Sequence, residues 1–260
     1  MSRHWADIGE STFVAGIWLL YAVHRLFGRW PFRLLLYPVV LYYWLSNRTA
    51  RQSSLEYLQQ LHASDAVFDS QPGHWQSIRH FICFGETLLD KMLASNGRCP
   101  ADRLRFSGHE PIVAAIEAGR GGLIVTAHMG CLELLQTAAT WRAGFPLTVL
   151  VHTAHAERFN RIVRRLNPST RVRLLQVTAF SPAVAMQLAE RVAAGEFVAI
   201  AGDRVPVHGD RVVHVPFLGR QAPLPTGPYL LAFLIGCPIY QLACLHEGAG
   251  YHAKVAVLAE

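Results

Sequence analysis

The stretch Gly121-Gly122-Leu123-Ile124-Val125-Thr126-Ala127-His128-Met129-Gly130-Cys131-Leu132-Glu133 decides how this chain is read. A short apolar run behind paired glycines suits a strand buried on both faces. Gly130 lies in the turn that follows, and residues 132–143 carry a helical pattern. Strand, turn and helix in that order form the repeating unit of a parallel α/β sheet. Ligands of such sheets bind beyond the carboxyl ends of the strands, which is where His128 falls. Glu133 comes five positions later, in the first turns of the next helix, so its carboxylate can reach back toward the imidazole. A carboxylate-oriented histidine is the general-base half of a catalytic dyad. The competing reading is a satisfied polar residue at a strand end.

The same alternation extends in both directions. Upstream, residues 104–106 suit a strand and 109–118 a helix closed by Gly119. Downstream, strands at 147–152, 172–176 and 197–201 alternate with helices at 156–166 and 182–194. A polar loop at 203–210, a short strand near 212–217, a helix at 226–235 and strands near 238–245 and 251–258 complete the chain. This predicts an α/β fold, a mostly parallel mixed sheet flanked by helices.

The first part of the chain is different. Apolar runs at 13–23 and 34–45 are separated by Arg25, Arg29, Trp30 and Arg33, and the second carries Tyr37, Tyr42, Tyr43 and Trp44. Neither reaches the ~18–20 uninterrupted apolar residues that a bilayer span needs. Asp7 and Glu10 precede the first run and no small-residue cleavage site follows it, so it does not read as a secretory signal. Interleaved aromatic and arginine residues suit a helix pair lying among lipid headgroups; two helices buried against the core are the alternative. Residues 51–62 and 73–95 read as amphipathic helices, the second ending at Asn96-Gly97. The expected organisation is a membrane-associating helical extension over 1–48 and an α/β domain over 49–260.

Composition narrows the function. The 260 residues are 52% hydrophobic and only 16% charged, against about 25% charged in ordinary domains, which excludes a disordered chain. The formal charge is +6 and Lys91 and Lys254 are the only lysines, so the positive charge is almost all arginine. The guanidinium fork suits partners bearing phosphate or carboxylate groups. No aromatic-basic platform or nucleic-acid motif is present, and no nucleic-acid partner is expected. Cys83, Cys99, Cys131, Cys237 and Cys244 form no CxxC pair, and the thirteen histidines form no HExxH motif. Neither a disulfide framework nor a metal site is expected, and no cofactor is called for. No Gly-x-Ser-x-Gly elbow suggests a serine hydrolase.

His128-x4-Glu133, then Gly202-Asp203-Arg204, then Val215-Pro216-Phe217-Leu218-Gly219-Arg220 and Ala222-Pro223-Leu224-Pro225-Thr226-Gly227-Pro228 stand in an order that resembles the lipid A lauroyl/myristoyl acyltransferase family. That family carries His-x4-Asp/Glu, an Asp-Gln pair at a strand end and a Phe-Phe-Gly-x-x-Ala-x-x-x-x-Gly-Pro stretch. The resemblance covers nearly the whole chain. Arg204 replaces the family's Gln, no Arg-Pro pair follows Val151, and the chain ends at Glu260, short of typical members, which leaves open whether a C-terminal piece is missing. These departures leave the acceptor open.

The resemblance implies an O-acyltransferase, moving a fatty acyl group from an acyl-carrier-protein thioester to a hydroxyl of a membrane lipid. It further implies work at the cytoplasmic face of a bacterial inner membrane. Coenzyme A as donor stays open. His128 would be the general base and Glu133 its orienting partner, with direct attack and no acyl-enzyme. Backbone amides at Met129 to Cys131, or an arginine, could hold the oxyanion. Cys131 could be a nucleophile or a small packing residue. Arg158, Arg161 and Arg165 share one helix face, either solvated or a dock for an acidic carrier protein or lipid phosphates. Asp203, Arg204 and Arg220 would contact the acceptor or pin a loop. A lipid- or carrier-binding module without catalysis is the alternative function.

Overall fold

The computed structural model describes residues 14–96, 104–131, 146–151, 173–176, 181–205, 211–248 and 250–260. They belong to two compact units. One holds residues 93–213 and 223–260, the other residues 12–92 and 214–222.

The first unit is built on a seven-stranded sheet. Its strands are β1 (Leu104–Ser107), β2 (Gly122–Thr126), β3 (Leu147–Val151), β4 (Arg173–Gln176), β5 (Phe197–Ala201), β8 (Ile239–Glu247) and β9 (Gly250–Ala259), in the order β1-β9-β8-β2-β5-β3-β4. The β8–β9 ladder is antiparallel and the other five are parallel. Helices α5 (Glu110–Glu117), α6 (Pro182–Ala193) and α7 (Gly227–Ile235) lie between strands in the chain. Leu123, Val125 and Val198 pack with Leu188 and Val192 of α6 and Leu231 and Ala232 of α7. Their neighbours Ile124, Phe197 and Ala199 pack with Ile112 and Ala115 of α5. Successive strand residues point to opposite faces, so a strand covered on both sides must be apolar throughout. That is why β2 and β5 read as unbroken apolar runs. Each fully buried Val, Leu, Ile or Phe side chain among them contributes about 1.5–3 kcal/mol.

At the start of β5 the Glu196 carboxylate accepts hydrogen bonds from the Thr148 hydroxyl and from Arg191 of α6, tying that helix to the strand ends. Strand β6 (Val212–Phe217) pairs with β7 (Arg220–Pro225) as a separate two-stranded ribbon. Leu218 and Gly219 at its tip both have positive φ, 48° and 73°, as a tight hairpin turn requires.

The second unit contains α1 (Val14–Phe27), α2 (Arg29–Ser46), α3 (Arg48–Asp65) and most of α4 (His74–Ser95). Asn47 caps α3, its side chain accepting from Ala50 N–H at 3.0 Å. Arg29 pairs with Asp90 at 3.0 Å, and Arg33 holds Glu86 with two nitrogens. Helix α2 buries Phe32, Leu36, Val40 and Trp44, every fourth residue. Trp30, Leu34, Tyr37, Val39, Leu41, Tyr42 and Leu45 of the same helix are exposed, with Leu26 and Phe27 of α1. Among the described residues no helix is long and apolar enough to cross a membrane.

A buried polar chain crosses the helices. Trp44 Nε1 donates to Ser77 Oγ at 3.0 Å, Ser77 donates to Ser54 Oγ at 2.9 Å, and Ser54 Oγ lies 3.0 Å from His80 Nδ1. In this order His80 Nδ1 accepts, which requires a neutral ring. Burial holds the His80 pKa below its ordinary value. Burial, reinforced by Arg29, does the same for His24. The unfolded chain therefore binds these protons first as pH falls. The helices should keep full stability above about pH 6.5 and lose it progressively below, toward the folded-state values. Hydrogen exchange of α2–α4 peptides at pH 7.5 and 5.5 checks this; equal protection at both values would contradict it.

Candidate active site

His128 lies two residues beyond the end of β2, and Asp203 two residues beyond the end of β5. The two strands are parallel neighbours with Thr126 opposite Ala201, and Gly202 N–H donates to Thr126 O at 2.8 Å. Two equal overhangs from paired strands bring the side chains together. Asp203 Oδ2 accepts from the His128 backbone N–H at 2.9 Å, and Oδ1 lies 2.9 Å from His128 Nδ1. One carboxylate thus fixes both the backbone and the ring of one histidine. Burial alone would raise the Asp203 pKa, but the hydrogen bonds from the His128 ring and backbone outweigh it and hold the carboxyl below its ordinary value. An ionised Asp203 accepts a hydrogen bond from Nδ1–H, which leaves the Nε2 lone pair free. The imidazole is about half exposed, so a substrate can approach it.

The turn after His128 is locked to β8. Gly130 forms a bridge with Cys244, and Cys131 N–H donates to Cys244 O at 2.9 Å. Gly130 has φ 73°, and a Cβ there would sit 1.8 Å from Cys244 O. Both the backbone conformation and the close approach demand glycine. The amides of His128 and Cys131 are committed to Asp203 and Cys244. Of the amides expected to serve an oxyanion, those of Met129 and Gly130 therefore remain. Cys131 is fully buried with Cys244, Leu104, Tyr251 and Ala253, a packing environment that keeps its thiol from substrate.

The other residues named from the sequence fall as follows. Arg204 is exposed and immediately follows Asp203. Arg220 opens β7, in the unit that holds α1 to α3 and most of α4. Glu133, Arg158, Arg161 and Arg165 lie outside the described residues. What the sequence reading missed is the part Asp203 plays, since it was assigned to substrate contact or loop anchoring. The available signal was its offset from a buried strand, which equals that of His128. Among the described residues no group of three or more His, Cys, Asp or Glu side chains is placed to hold a metal ion.

Residues 84–260 match the bacterial lipid A biosynthesis acyltransferases, and the chain belongs to that family. It is 25% identical over 142 residues to a phosphatidylinositol mannoside acyltransferase of Mycolicibacterium smegmatis, a stretch covering 55% of this chain and 46% of that relative. The matched stretch is thus less than half the relative's length.

Proposed function

We propose that this protein transfers a fatty acyl group from a thioester donor to a hydroxyl of a membrane lipid, with His128 as general base. The carrying observation is the paired hold of Asp203 on His128, which leaves Nε2 as the reactive nitrogen. Nε2 takes the proton of the acceptor hydroxyl, and the alkoxide oxygen attacks the thioester carbonyl carbon. The tetrahedral oxyanion is met by the Met129 and Gly130 amides. The C–S bond then breaks, and the thiolate leaves with the proton returned by the imidazolium. Asp203 orients the ring and offsets its charge, and Glu133 is proposed to add negative charge near the imidazolium without occupying Nε2. Arg204 and Arg220 are proposed to contact the anionic part of the acceptor. Phosphatidylinositol mannoside, in the name of the relative, supports a glycosylated phospholipid as acceptor as readily as a lipid A precursor. The test is incubation with acyl-carrier proteins of several chain lengths and a membrane lipid extract, with mass spectrometry of the products.

The donor is proposed to be an acyl-carrier protein received on the Arg158, Arg161 and Arg165 face. Charge reversal of all three should raise the KM for the carrier-bound donor with little change in kcat. The effect should fade with salt, because exposed charges are screened over about 8–10 Å near physiological ionic strength. Unchanged donor kinetics at low salt would make this a solvated face.

The site of action is proposed to be the cytoplasmic face of a bacterial inner membrane, reached through α1 and α2. The support is the apolar and aromatic surface these helices leave exposed, together with the exposed Arg25 in the last turn of α1. Such a surface is costly in water and suits the headgroup boundary of anionic lipids. Trp30→Asp with Leu34→Asp should abolish flotation with anionic vesicles while leaving the thermal melt intact. Flotation equal to the native protein would refute the anchoring.

A further inference from the structure

We propose that Ser107, His252 and Glu247 form a second hydrolytic centre, a serine esterase relay acting on small carboxylic esters and thioesters from solvent. It is separate from the acyl-transfer reading and does not depend on it. Strands β1 and β9 pair in parallel with Arg105 opposite His252 and Ser107 opposite Lys254. Directly paired residues share a sheet face, so these four side chains stand together. The alternate residues Leu104, Tyr251 and Ala253 occupy the other, buried face. Within the polar set, His252 Nε2 lies 2.9 Å from Ser107 Oγ. Its Nδ1 lies 2.8 Å from Glu247 Oε2, and Arg105 donates to the same oxygen at 3.0 Å.

This is the connectivity of a charge-relay nucleophile, with serine, histidine and carboxylate in series and both contacts at hydrogen-bond length. The His252 ring is 20% exposed, while Ser107 is open to solvent. A sheltered base beside an accessible hydroxyl is the useful combination. The Glu247 carboxyl is held below its ordinary value mainly by the hydrogen bond from His252, with Arg105 and Lys254 adding to it. It therefore stays ionised, keeps the proton on Nδ1 and leaves Nε2 to accept from serine. Ser107 ends β1, and Gly108 turns the chain with φ 67°, a Cβ there falling 2.2 Å from Val255 O. The serine is thus presented at a fixed strand terminus.

The chemistry closes without another reactant besides water. His252 Nε2 takes the Ser107 proton as Oγ bonds to the ester carbonyl carbon. The oxyanion forms next to Lys254, the register partner of Ser107. The C–O or C–S bond breaks and the alcohol or thiol leaves with that proton. Water then attacks the acyl-serine, its proton passing through His252 to Oγ as the acid departs. His128 cannot be the base for this serine. Gly130 bridges Cys244, Cys244 pairs with Ala253, and Ala253 pairs with Phe106. Three strand spacings of about 4.8 Å separate the His128 turn from β1. The substrate class follows from exposure: the serine stands open on a sheet face and suits short acyl groups.

The test uses the full chain, a fluorophosphonate probe with peptide mapping, and hydrolysis of p-nitrophenyl acetate. Covalent label is expected on the peptide containing Ser107. Ser107→Ala should remove the label and lower serine-dependent hydrolysis by about 100-fold or more, and Glu247→Gln should slow labelling and move the pH profile. Thermal melts of both variants separate these effects from unfolding, and both replaced side chains are on an exposed face. A native protein that takes no label at pH 8 would reduce these charges to edge-strand protection and overturn the proposal. So would label that survives Ser107→Ala, or label lost in a folded His128→Ala variant.

Discussion

Folded His128→Ala protein is expected to lose acyl transfer by about 10²–10⁴-fold, the range that a positioned general base contributes. The basis is geometric. His128 makes two hydrogen bonds to one carboxylate, one from its backbone N–H and one through Nδ1, and its ring is about half exposed. The loss should fall on kcat, because the imidazole acts as charge develops, and binding of the donor should change little. Single-turnover transfer with saturating donor checks this. Cys131→Ser should keep most activity, since that thiol is buried away from the ring. An acyl group trapped on Cys131 would replace direct attack by a thioester intermediate.

The second large effect is expected at Asp203. Asp203→Asn keeps the shape but substitutes an uncharged amide for the carboxylate that accepts the Nδ1–H hydrogen bond. The ring then loses its enforced tautomer and the charge that offsets the imidazolium, and kcat should fall by about 10²–10⁴-fold. The two residues act as one unit, so the double variant His128→Ala/Asp203→Asn should be little worse than His128→Ala alone. Glu133→Gln measured beside it shows how the two carboxylates share the work. A fall at Glu133 with near-normal Asp203→Asn would return the orienting role to the helix that follows His128. Because Asp203 is held below its ordinary value, it remains ionised across the neutral range, and acid loss of activity should not begin with its protonation.

The sequence showed most of this unit where periodicity was unambiguous. The runs at β2 and β5 are apolar without a break because both faces are covered by helices, and the expected spans agree with the observed ones to within a residue or two. The His128 turn was legible from its place after such a run. Strand order was not. β9 enters between β1 and β8, antiparallel to β8 and parallel to β1, and nothing in local pattern encodes that insertion. Strand β7 was hidden by Pro223 and Pro225, which a two-stranded ribbon tolerates because it has open edges. The pairing of Asp203 with His128 joins residues 75 apart through the β2–β5 register, a long-range fact that spacing along the chain cannot show. In the helical unit the apolar pattern located α1 and α2. Only the packing revealed how narrow the buried stripe of α2 is.

The most direct measurement is acyl transfer by the purified chain, with acyl-carrier-protein thioesters and a membrane lipid extract, followed by mass spectrometry of the lipids. The native protein should add one fatty acyl group to a hydroxyl-bearing lipid, and a folded His128→Ala protein should not. Transfer that proceeds at a near-normal rate without the imidazole would contradict the proposed mechanism.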